Sequence, residues 1–568
     1  MDDKKNLLAF VLIFIVSMAV WDYFFTKKPP VGQEKTQTQN VDLPQKLESP
    51  QIEEIHQKLG REEALQKEER LSFQTNKLSG SINLRGARLD DLTLLDYRSD
   101  EIVKMDSSSL SASKQDLVHL LSPEATAEPY YAEFGWVSVT PGIETPNTST
   151  PWKAENQDTQ QGIVWTNAQG VTFRQRYELD DQYMFTVIST IENHTDSSIS
   201  LYPYSRIVRT GTPKVGGFAA LHEGPLGYID NKLQELNYEE IQKEKDKRFQ
   251  SQGGWIGITD KYWLAALIPD QNKTQEFFFK YAKIGSLDQY QTGYYGQAVT
   301  VAPGQTLHYK HHFFGGAKVL DILDHYEDTL GIKHFDLAVD FGWFYFITKP
   351  FFYFLSFLNK YLGNFGLAIL LMTVLLKLLF FPLANKSYRS MARMKDLQPK
   401  IERIKERYGN DKVKMNQELM NLYKKEKINP MAGCLPILIQ IPIFFALYKV
   451  LFVSIEMRHA PFYGWISDLS AKDPTNLFNL FGLIPWDPPA ILHIGIWPIL
   501  MGLSMFIQQK LNPAPQDPVQ AKMFLVMPII LTVMMANFPA GLVIYWTWSN
   551  ILSIIQQTVI TRCVKKAA

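Results

Sequence analysis

The chain reads as a polytopic α-helical membrane protein, with six transmembrane helices of which five form a core, carrying one antiparallel all-β domain outside the membrane. Three observations predict this. Of its 568 residues 46% are hydrophobic and 13% aromatic, and the longest apolar runs approach the roughly 20 residues that span a bilayer. Residues 78 to about 310 instead alternate apolar and polar side chains with period two, between Gly, Pro, Asn and Asp turns. The zero net charge also conceals a division: residues 31–340 hold 30 Lys+Arg against 44 Asp+Glu, a balance of −14. Residues 341–568 hold 24 against 11, or +13, and the first 30 residues add 4 against 3. An acidic half joined to a basic, apolar half points to two compartments.

Taken in order, residues 1–28 carry the apolar run Asn6–Phe25 behind Lys4 and Lys5. It is longer than a signal-peptide core and no small-x-small site follows, so it reads as an uncleaved anchor. Residues 29–75, rich in Gln, Glu, Lys and Pro, have linker composition, with a charged surface helix possible around Glu53–Leu71. Residues 76–340 form the β domain, a sandwich of two sheets, closed by a helix expected from Lys318 to about Asp340. The two cysteines, Cys434 and Cys563, lie outside it, so that domain folds on an ordinary core without disulfides. Its HYKHH run places His308 and His312 on one strand face and His311 on the other; solvated histidines explain this better than a metal site.

Residues 341–364 are crowded with Trp, Phe and Tyr around Lys349-Pro350, as in a helix lying at the headgroup level. The second span, 365–384, contains one charge, Lys377. An intramembrane ammonium costs several kcal/mol unless it faces protein or water, which marks it as a functional-site candidate. Residues 385–429 hold 13 Lys+Arg against 6 acids. Apolar residues at helical spacing (Leu397, Ile401, Ile404, Tyr408, then Met415, Leu419, Leu422, Tyr423) break at Gly409-Asn410-Asp411 and predict a cytoplasmic helical hairpin. Its basic residues serve either topology alone or docking of nucleic acid or an acidic partner. Further spans follow at 430–453, 490–509, 523–538 and 541–561, separated by an external loop at 454–489 and a cytoplasmic loop at 510–522, with a short basic cytoplasmic tail at 562–568. Counting back from that tail returns both ends to the cytoplasm and the acidic domain to the outside.

Polar residues within the spans suggest what Lys377 faces. Thr373 lies four residues before it, on the same helix face; Gln440, Gln508 and Asn537 add one group per helix; Tyr545, Trp546, Ser549 and Asn550, continued by Ser553 and Gln556, line the last. Singly each reads as a buried interhelical hydrogen bond; with a charge among them they read as a hydrophilic cavity, with Pro436, Pro442, Pro498 and Pro528 kinking its walls. The chain carries no phosphate-binding loop, zinc-protease or nucleophile-elbow motif, and no cofactor, metal site or enzymatic activity is expected. A solute transporter, or a periplasmic carbohydrate-binding or chaperone module on an anchor, are the alternatives; no inverted repeat supports the first.

The runs KSYRSMARMKDLQPKIERIKERYGND, LYKKEKINPMAGCLPILIQIPIFFALYKVL and FPAGLVIYW followed by SNILSIIQQ resemble the YidC family of membrane protein insertases, in its Gram-negative form with a large periplasmic domain. The resemblance extends in order over the whole chain. It implies a periplasmic β-supersandwich and an inner-membrane core whose groove opens to cytoplasm and lipid. It further implies insertion of membrane segments alone or with the Sec translocon, and ribosome docking at Arg389, Arg393, Lys395, Lys400, Arg403, Lys405 and Arg407. Partners would be nascent membrane segments and lipids, with no specific nucleic-acid sequence. The family's groove arginine falls at position 377, here lysine, and its tyrosine pair reads Tyr545-Trp546. The family's ribosome-contacting C-terminal tail is short here.

Overall fold

The computed structural model describes residues 59–99, 117–157, 160–213, 221–342, 344–408, 411–426, 435–486, 488–489, 492–512 and 518–567. The anchor at Asn6–Phe25 and the linker up to residue 58 lie outside the described residues. The chain divides into two compact units, one within residues 28–340 and one containing 341–568.

The first unit is a sandwich of two antiparallel sheets, of ten and nine strands among the described residues. At the centre of the larger sheet Ile199–Thr210 lies between Tyr130–Ser138 and Leu287–Tyr295; in the smaller, Thr306–Ala317 lies between Met184–Asn193 and Trp263–Ile268. Alternation explains the layering: in Ile199–Thr210, Ser205 and Ile207 face the other sheet while Arg206 and Val208 face away. Between the sheets lie Phe134 and Phe313, with ring centroids 6.4 Å apart, and Phe73 against Phe185 at 5.3 Å.

Register places polar pairs as well. Arg206 stands directly opposite Glu133 in the neighbouring strand, and its Nε donates to Oε1 at 2.6 Å. His311 is fully buried, its Nδ1 2.8 Å from Ser205 Oγ and 3.1 Å from Tyr294 OH on the opposite sheet. The expectation of solvated histidines therefore holds for exposed His308 and fails for His311, which lies on the strand face covered by the other sheet.

Two boundaries also differ from expectation. The sheet begins within the expected linker, at strand Arg70–Gln74, after the short helix α1, Arg61–Gln66. Capping-box helix α2, Tyr238–Glu244, precedes an edge strand. The expected long helix at 318–340 is helix α3, Leu320–Leu330, followed by a single 3₁₀ turn at Phe335–Ala338. Gly331 at φ 65° ends α3 in a left-handed cap.

The second unit is helical. Helix α4, Tyr345–Leu362, ends at Gly363, φ 65°, and Asn364 caps the start of α5, Phe365–Leu379; the pair is bent by 118°. Instead of continuing to residue 384, α5 ends at Phe380, and α6, Phe381–Asp396, restarts with Pro382 in its first turn, where the missing N–H costs nothing. Helices α7, Gln398–Tyr408, and α8, Lys412–Lys425, fold back on one another around Leu397, Ile401, Leu419 and Tyr423. Then come α9, Leu435–Val453, α10, Ile496–Leu511, α11, Pro518–Met535, and α12, Ala540–Ala567. Among the described residues no single helix is long and apolar enough to cross a membrane; the bent pair α4–α5 passes that test together. Helix α5 alone rises about 22 Å, short of a hydrocarbon core of roughly 30 Å.

Candidate functional site: a cation-bearing cavity between helices

A cavity of about 60 Å³, room for several water molecules, opens between α5, α6, α9 and α12. Its wall combines Thr373, Lys377, Tyr388, Gln440, Tyr545, Ser549 and Gln556 with the apolar Leu376, Phe380, Leu383, Ala384 and Ile443. Lys377 is the only charged side chain among them.

Helix geometry aims these groups. Thr373 is buried and donates to its own helix at Ile369 O, 2.7 Å, which satisfies it without a partner across the cavity. One turn later Lys377 Nζ donates to Ser553 Oγ at 2.7 Å, and Ser553 donates its own proton to Ser549 O at 2.9 Å. The serine is thereby fixed as an acceptor, and an ammonium has three donors to satisfy. Gln440 of α9 donates to Ser549 Oγ, while Gln556 Nε2 donates to Lys377 O at 3.4 Å. Tyr545, Ser549, Ser553 and Gln556 follow one another at four, four and three residues, a single stripe of α12.

Of the candidates read from sequence, Thr373, Lys377, Gln440, Tyr545 and Ser549 meet here. The others lie elsewhere. Asn550 is buried against α10, donating to Ser504 Oγ at 3.1 Å; Trp546 stacks edge-on against Phe444, centroids 4.9 Å apart; Gln508 does not line the cavity. Asn537 is not in a helix at all: α11 ends at Met535, and the residue is exposed in the turn before α12. Tyr388 was missed. It lies eleven residues after Lys377, three helical turns along the same face, a signal obscured by the break at Phe380.

The predicted docking residues sit on α6 and α7. Arg389, Arg393, Lys395, Lys400, Arg403 and Arg407 are exposed and Lys405 is half-buried; Lys400 pairs with Glu426, the C-cap of α8, at 2.7 Å. In the β unit, Glu327, His334 and Asp336 bring ligand-type atoms within 4.8 Å, and Glu327 Oε2 already accepts Phe335 N at 3.1 Å.

Chemically, the cavity presents a positive charge and neutral donors and acceptors. Among the described residues lining it there is no carboxylate, imidazole or thiol to serve as base or metal ligand. Such a site favours binding of acceptors and negative charge.

Residues 357–567 match the family model described as 60Kd inner membrane protein, and residues 70–354 that described as YidC periplasmic domain. Similar proteins named "Membrane protein insertase YidC" occur in Beijerinckia indica, 48% identical across 99% of this chain and 96% of the relative, and in Bradyrhizobium diazoefficiens, 45% identical across 99% and 96%. One from Rickettsia bellii is 47% identical across 98% of this chain and 99% of its own length. By these matches over both of its units, the chain belongs to the YidC family of membrane protein insertases.

Proposed function

We propose that the protein inserts and folds integral inner-membrane proteins by receiving the polar flank of an incoming segment in the Lys377 cavity. The observation that carries this reading is a charged, hydrogen-bonding cavity inside helices whose outer faces are apolar. Leu371, Leu375 and Leu378 on α5, Leu500, Leu503 and Ile507 on α10, and Ile551, Ile555 and Val559 on α12 each form an exposed stripe at helical spacing. Stripes of that extent suit hydrocarbon rather than water.

In this reading the chain has six spans with both termini in the cytoplasm, the β unit in the periplasm and the α7–α8 hairpin in the cytoplasm, as its basic charge favours. Lys377 and its polar neighbours attract an acidic or polar flank, which shortens the hydrophobic path. The apolar segment then moves into lipid along the outer stripes. The protein breaks no bonds; hydrophobic transfer drives the process, with about 2.3 kcal/mol per charge from each 100 mV of membrane potential. It acts alone or beside the Sec translocon, and a ribosome approaches Arg389, Arg393 and the exposed bases of α7.

Complementation of a depleted strain tests the mechanism. Lys377→Arg should restore insertion of substrates with acidic flanks and Lys377→Ala should not. Equal rescue by both and by the unaltered protein would remove the cation from the mechanism. Crosslinking from position 377 to a stalled nascent chain should capture the flank.

A further inference from the structure

Between α9 and α10 the segment Leu477–Trp486, LFNLFGLIPW, contains no Asp, Glu, Lys or Arg. It rises from a fixed stem. Buried Asp473 accepts from Thr475 N at 3.0 Å, Trp465 Nε1 at 3.2 Å and Trp497 N at 2.9 Å, which ties the loop to the first turn of α10. Buried Asn476 accepts Phe478 N on its side chain at 3.0 Å and Phe481 N on its carbonyl at 2.9 Å; Leu477 N reaches Ile494 O at 3.0 Å.

On this stem the apolar side chains turn outward. Leu483 is 83% exposed, Phe481 52%, and Leu480 and Trp486 48% each. Leu480 and Phe481 sit at φ 49° and 60°, a left-handed conformation that bulky residues adopt at a cost on the order of 1 kcal/mol or more. Backbone strain and a rigid hydrogen-bonded base thus hold apolar groups away from the protein's own core, which water alone would not favour.

We infer that Leu477–Trp486 is a membrane-inserting tip, seated in the bilayer leaflet at the end of α9 away from the basic hairpin. The inference rests on the membrane reading above. Lipid is the occupant that the tip's chemistry fits. It offers no charge for a polar partner, and its tryptophan suits the headgroup boundary. Such a tip would fix the depth of α9 and α10 in the leaflet.

The test is a spin label in proteoliposomes of the full chain, with Cys434 and Cys563 replaced by serine. Labels go at Leu483→Cys and, separately, Phe481→Cys, with Leu503→Cys as the lipid-facing reference and Glu402→Cys as the aqueous one. Collision with oxygen should exceed collision with a water-soluble nickel chelate several-fold at 483 and 481, as at 503. Chelate access at both loop positions with a lipid-like 503 overturns the inference and leaves the membrane reading standing. Shielding of the loop from both reagents also overturns it, by pointing to a protein contact. An aqueous signal at 503 overturns the membrane reading itself.

Discussion

Acid should loosen the β unit in part through one imidazole at the centre of its core. Burial, with a smaller contribution from neighbouring His312, depresses His311 from 6.5 to about 3. The folded state therefore holds a neutral ring where the unfolded chain binds a proton, so stability is full above pH 6.5 and is lost as pH falls toward 3. At 1.36 kcal/mol per unit, the loss from this group is about 2 kcal/mol at pH 5 and approaches about 5 kcal/mol near pH 3. His119 and His312, both lowered by burial to about 4, act in the same window, so the decisive quantity is a difference between variants. Urea titrations of the β unit at pH 7, 6 and 5 should show His311→Gln losing less stability on acidification than the unaltered protein, by about 2 kcal/mol at pH 5. Gln retains a hydrogen-bonding partner for Ser205 and does not titrate. Identical slopes between pH 6.5 and 5 would refute the assignment of a neutral, buried imidazole.

Glu133→Gln should destabilise the β unit by about 3–5 kcal/mol, since it leaves the buried guanidinium of Arg206 without its carboxylate; denaturant midpoints report this. Burial pushes the Glu133 carboxyl up, but Arg206 and Arg88 outweigh it and hold the group below its ordinary value. The pair's contribution is consequently present above the usual carboxylate range and lost as pH falls through the depressed value. In the basic hairpin, Leu419→Ala removes a buried member of the Leu397–Ile401–Tyr423 cluster, a loss of about 2–5 kcal/mol, and should speed amide exchange in α7 and α8 before the other helices respond. In reconstituted insertion, Lys377→Ala should slow a substrate with an aspartate flank more than its asparagine counterpart. A charge pair at about 4 Å is worth roughly 1 kcal/mol in water and 4 kcal/mol at an effective dielectric of 20, so at least a five-fold difference is expected.

Much of this was legible because side-chain periodicity survives folding. The hairpin residues Leu397, Ile401, Leu419 and Tyr423 were spaced for one face and meet on one face. Thr373 and Lys377 likewise share a wall. Periodicity, however, fixes a residue's direction only relative to its own helix. Asn550 adjoins the cavity residue Ser549 in sequence, yet the rotation of α12 turns it to Ser504 of α10. Asn537 looked helical because the apolar run continued to Phe538, whereas the helix stops two residues before it. The strand Arg70–Gln74 was hidden by polar composition; its pairing with Leu78–Asn83 supplies what its own side chains do not. His311 was misjudged because alternation separates two faces without saying which of them the other sheet covers.

The contact of His311 with Ser205 and Tyr294 also bears on how the β unit reaches its native state. With no cysteine in residues 31–340, no covalent bond can lock the alignment of its sheets. A slip of the Thr306–Ala317 strand by one residue would turn the His311 imidazole to the opposite face and, in one direction, set the Lys310 side chain against Ser205 and Tyr294 instead. Misaligned sandwiches are then penalised at the centre of the core, where water cannot enter to repair them. The chain thus carries an internal check on strand alignment that works without any redox chemistry in the compartment where it folds.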